Sequence, residues 1–66
     1  MQADRVEVSW DEQKHKWLVR IVVGEEVIRR YCNDSKDTSP EKLRASAIGT
    51  AAEEGYEVDP ANVTLV

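Results

Sequence analysis

Trp17 to Cys32, WLVRIVVGEEVIRRYC, holds the longest apolar run of the chain, and its reading decides the fold. Val19, Ile21, Val22, Val23, Val27 and Ile28 are β-branched, and Trp17 and Tyr31 are aromatic. Such side chains fit a pleated sheet better than a helix, where their χ1 freedom is lost. Gly24-Glu25 falls where a two-residue hairpin loop belongs, with glycine supplying the positive φ of a primed turn. That loop sets Val23 opposite Glu26, Ile21 opposite Ile28, Val19 opposite Arg30 and Trp17 opposite Cys32. Side chains alternate along a strand, so these residues share one face. The other face carries Leu18, Arg20 and Val22 against Tyr31, Arg29 and Val27.

Upstream, Arg5 to Trp10 alternates Val6, Val8 and Trp10 with Arg5, Glu7 and Ser9, the pattern of a strand with one buried face. Asp11 to Lys16 (DEQKHK) is a polar connector that allows an antiparallel return. In that arrangement Glu7 lies beside Arg20 and relieves the contact between Arg20 and Arg29. Met1 to Asp4 is expected to be a frayed lead-in.

Downstream, Asn33 to Ser39 consists of turn formers. Ser39-Pro40 then predicts a helix start: the serine oxygen caps an orphan N–H, and proline lacks the donor that would be wasted there. The helix is expected to run to about Glu54, with Gly55 as a left-handed stop. Its apolar stripe is Leu43, Ala47, Ile48, Ala51 and Ala52. Small residues dominate it, so a close approach to the sheet is expected, with Gly49 marking it. The core bulk then falls to Trp10 and Trp17 with Val6, Val8, Val19, Ile21 and Ile28. Asp59 to Asn62 reads as a turn and Val63 to Val66 as a last strand, parallel to the first or third by a right-handed crossover. The edge beside the first strand is preferred. The expected architecture is α+β in the order β-β-β-α-β: a three-stranded antiparallel meander, a helix on one face and a short C-terminal strand. Residues 1–66 form one expected domain.

A chain this short buries only about 60 % of its unfolded surface, so its core is small. One cysteine and one histidine are too few for an internal disulfide or a zinc site. No cofactor is expected. Ile21 to Val23, unsurpassed in length by any other uninterrupted apolar stretch, is far from membrane length, and no secretory or lipidation motif is present. A lone thiol and no signal segment fit a cytoplasmic setting. The net charge of −4 opposes broad binding to nucleic acid.

No constellation for catalysis emerges, and the expectation is that the protein is not an enzyme. His15 lies between two lysines with no positioned partner, which suits a solvated residue better than a general base. Cys32 ends a strand, and a nucleophile there would need a cationic setting and a base. Glu25-Glu26, Asp34/Asp37 and Glu53-Glu54 are sequence neighbours rather than acids facing one another across a cleft. No calcium loop and no glycine-rich phosphate loop can be traced.

The strip Leu18, Arg20, Val22, Val27, Arg29 and Tyr31 has the mixture of apolar, tyrosine and arginine that interface centres favour. Its bland alternative is a half-exposed sheet face with arginine stems lying over valines. The expected function is a small cytoplasmic protein-interaction module, self-associating as a homodimer through this face or the sheet's edge, or binding another protein. The alternative is weak single-stranded nucleic-acid binding through Tyr31, Arg20 and Arg29.

Overall fold

A computed structural model describes all 66 residues and has the expected α+β layout. Strands β1 (Arg5–Asp11), β2 (Lys16–Val23) and β3 (Glu26–Cys32) form an antiparallel meander, followed by helix α1 (Pro40–Glu53) and strand β4 (Val63–Leu65). The sheet order is β3-β2-β1-β4. β4 lies parallel to β1, with Val6 beside Val63 and Val8 beside Leu65, on the preferred edge.

The hairpin adopts the expected register: Trp17 pairs with Cys32, Val19 with Arg30, Ile21 with Ile28 and Val23 with Glu26. Gly24 has φ +60° while Glu25 keeps a negative φ, the pattern of a type II′ turn. Gly24 N–H also donates to Asp4 Oδ2 at 2.7 Å. At the β1–β2 turn the Asp11 carboxylate accepts from Gln13 and Lys14 N–H, and His15 closes the loop at φ 52°.

Side-chain parity follows from that register. Val19 and Ile21 lie beneath α1 with Val6, Val8 and Val63, and Ala47 and Ala51 press on them with no exposed surface. Alanine lets the helix backbone come close, so β-branched side chains of the sheet fill the space between. Ser39 caps α1 by accepting Lys42 N–H, Pro40 occupies the first turn, and Gly55 takes φ +87° after the cap.

Four local expectations are corrected. Met1 to Asp4 is not frayed: Ala3 is buried, its N–H donates to Glu57 O at 2.7 Å, and Glu57 N–H donates to Met1 O at 2.8 Å. This segment and the stretch after α1 satisfy each other's backbone. Trp10 is not core bulk; it is half-buried at the rim, edge-on to Trp17 at 5.2 Å, while the core is filled by Val6, Val8, Val19 and Ile21. Gly49 marks no close approach, since a Cβ there would meet no atom within 4 Å. Ala52 is exposed, because the buried stripe runs Leu43, Ala47, Ala51 at intervals of one turn.

Candidate contact surface

The helix covers one side of the sheet and leaves the other open. Open-side positions are Arg5, Glu7, Ser9 and Asp11 of β1, Lys16, Leu18, Arg20 and Val22 of β2, and Val27, Arg29 and Tyr31 of β3. They form cross-strand rows: Arg5–Val22–Val27, Glu7–Arg20–Arg29 and Ser9–Leu18–Tyr31. The six residues of the candidate strip therefore do lie side by side.

Their exposure is unequal. Val27 and Tyr31 are 38 % and 39 % exposed and Leu18 is half-buried, but Val22 is only 5 % exposed. Val22 thus contributes to the interior of this chain rather than to a surface that a partner could touch. Arginines flank it in the neighbouring row, and Arg20 Nε is enclosed without a hydrogen-bond partner. A valine sunk among arginines is the pattern of a sheet face that needs no partner.

Electrostatics organise the remainder. Glu7 Oε1 lies 3.8 Å from Arg20 Nη1, which relieves the contact between Arg20 and Arg29 as expected. Arg5, Lys16 and Arg29 make no ion pair. Lys14 Nζ sits 4.6 Å over the Tyr31 ring, and the Tyr31 hydroxyl lies 3.4 Å from Asp11 Oδ2. With Lys14, five of the nine basic residues stand on the open face, against two of the thirteen acids, Glu7 and Asp11. That leaves the face at +3 and the rest of the molecule at −7, consistent with the net charge of −4. Composition gave the total and concealed this separation, which emerges only once the register assigns charges to faces.

β3 is one edge of the sheet, with the short β4 at the other. Val22 O is turned towards β1, where it accepts Asp4 N–H at 2.8 Å, so Val22 and Val27 are not a hydrogen-bonded pair. Hydrogen-bonded and non-bonded pairs alternate along an antiparallel ladder. Val27, Arg29 and Tyr31 therefore direct their N–H and C=O groups away from β2, at the free edge. One of these carbonyls is occupied: Arg29 O accepts from Arg30 Nη1 at 2.8 Å, and the Arg30 guanidinium also pairs with Glu54.

His15 and Cys32 do not come together as a catalytic pair. The His15 ring lies edge-on to Trp10, and Cys32 Sγ lies 3.4 Å from Thr50 Oγ1. That hydroxyl donates its single proton to Ser46 O, so the thiol is the donor in the contact. At the loop end of the sheet, Lys36 Nζ bonds Glu12 Oε1 at 2.9 Å and lies 5.8 Å from the Trp10 ring. The Lys36 bond holds the Glu12 carboxyl below its ordinary pKa, helped by the Trp10 indole and the nearby charge of His15. The Trp10 Nε1–H adds to this by proximity without reaching hydrogen-bond geometry.

The surface opens no cavity, and no group of three or more His, Cys, Asp and Glu side chains gathers in metal-binding range. No helix is long and apolar enough to cross a membrane. Comparison with protein-family models, curated proteins and solved structures gave no match.

Proposed function

We propose that this chain is a small protein-interaction module that engages another polypeptide through the open face of its sheet. The observation that supports the reading is the patch of Leu18, Val27 and Tyr31, apolar surface left uncovered on one side and interleaved with Arg20 and Arg29. A lone thiol, Cys32, suits action in a reducing, cytoplasmic setting. Selection of a random dodecapeptide display library on the immobilised protein tests the reading. Recovered binders that are lost on a folded Val27→Ser/Tyr31→Ser variant support it. No binders, or binders indifferent to that variant, overturn it.

Self-association is a second form of the same reading. Sedimentation velocity from micromolar to millimolar protein checks it: a mass that rises with concentration and falls back in Tyr31→Ser supports a dimer through this face. A strict monomer excludes it.

The nucleic-acid alternative draws on the same Tyr31, Arg20 and Arg29. Lys14 lies over the Tyr31 ring, where a base would have to stack, which sets this reading second. It requires salt-dependent binding of single-stranded oligothymidylate that weakens in Arg20→Ala, and unchanged fluorescence at low salt removes it.

A further inference from the structure

The contact surface has a charge and a direction that together specify the chemistry of what it holds. We infer that its partner is an acidic, extended polypeptide segment, added as a fifth strand along β3; this rests on the interaction reading above. Two independent features support it.

The first is charge. A +3 face on a −4 molecule repels a second copy of itself and attracts an anionic partner. Arg5, Lys16 and Arg29 have no acid of their own to satisfy them.

The second is backbone geometry. β3 is an edge strand of seven residues without proline, and Val27, Arg29 and Tyr31 turn their N–H and C=O groups outwards. Those same three residues place their side chains on the basic face. A strand bonded to that edge presents alternate side chains to the same face. Cross-strand pairing then favours an acidic residue opposite Arg29 and apolar residues opposite Val27 and Tyr31. Arg30 must release Arg29 O for the full ladder to form; Glu54 remains as its partner. An extended peptide satisfies the edge and the charge at once, whereas a folded acidic surface or a nucleic acid satisfies only the charge.

The display selection above, read for sequence and followed by amide hydrogen exchange, tests the inference. Binders should be net acidic, with apolar and acidic residues at alternate positions. Affinity should fall at least tenfold in Arg29→Glu and stay within twofold in Arg44→Glu, a charge change on the exposed side of α1. Exchange at the Val27, Arg29 and Tyr31 amides should slow on binding. Binders that depend on Tyr31 yet carry no negative charge, or that leave those three amides unprotected, overturn this inference while leaving the interaction surface standing. Binders indifferent to Tyr31 overturn both. Tighter binding of oligothymidylate than of any acidic peptide also overturns it.

Discussion

Ile21 and Val22 are neighbours in sequence, point to opposite sides of the sheet, and are both buried, at 0 % and 5 % exposure. Ile21 is covered by the helix-side core; Val22 is enclosed between Arg5 and Val27 in its row, beside Arg20 and Arg29. The open face therefore has an apolar floor that belongs to the fold, with the exposed Val27 and Tyr31 at its β3 side.

Val22→Glu should consequently act on stability rather than on binding. Burying an unpaired carboxylate costs about 3 kcal/mol or more, a large share of what a domain this small possesses. Val27→Ser, at an exposed position in the same row, should cost about 1 kcal/mol or less. Urea unfolding of the two variants checks the contrast.

Gly49→Ala should stabilise. The position is helical and exposed, and the added methyl meets nothing, so only the backbone entropy of glycine is at stake. About 1 kcal/mol is expected, or roughly 4–8 °C in Tm for a domain of this size. Thermal unfolding followed by circular dichroism measures it.

Ala3→Asp should destabilise by about 3 kcal/mol, because it places a charge among Val6, Val58 and their neighbours in the core. Denaturant titration would show a lowered midpoint, whereas a frayed segment would tolerate the change.

Glu12 gives a pH signature. Its folded-state pKa is depressed, chiefly by the Lys36 hydrogen bond, so the stabilisation is present above the unfolded-state value. It is lost as pH falls from the ordinary glutamate range through the depressed folded-state value. In Lys36→Ala the Glu12 carboxyl should titrate higher by carbon-detected NMR. The stability difference between variant and wild type should be visible near neutral pH and vanish in acid.

Much of the architecture could be read from local signals. Gly24 fixed the turn and hence the register, Ser39-Pro40 and Gly55 bounded the helix, and alternation assigned the faces. The features that escaped depend on distant partners or on rotational phase. Gln2–Ala3–Asp4 has no periodicity, and its order comes from backbone bonds to Glu57 and Val22. Gly49 is small and helical, which suggested a close approach; its angular position relative to Ala47 and Ala51 turns it outwards. Trp10 has core chemistry, but it stands at the end of β1 where the row leaves the helix and meets the polar loop. The six residues of the candidate strip lie on one face, as their parity requires. Burial of Val22 escaped because alternation assigns a side chain to a face without saying how far its neighbours cover it.

Everything functional rests on one assignment, that Leu18, Val27 and Tyr31 look out over a positively charged face while Val19 and Ile21 look into the core. Solvent paramagnetic relaxation of the methyl and ring protons, measured with an anionic and a neutral gadolinium chelate, tests it without any partner. The account predicts strong relaxation at Val27 and Tyr31, weaker relaxation at Leu18 and almost none at Val19 and Ile21. The anionic chelate should exceed the neutral one on the open face and fall below it at Ala45 and Ala52 on the exposed side of the helix. Relaxed methyls at Val19 and Ile21 with a protected Val27, or equal effects of the two chelates on both sides, would contradict it.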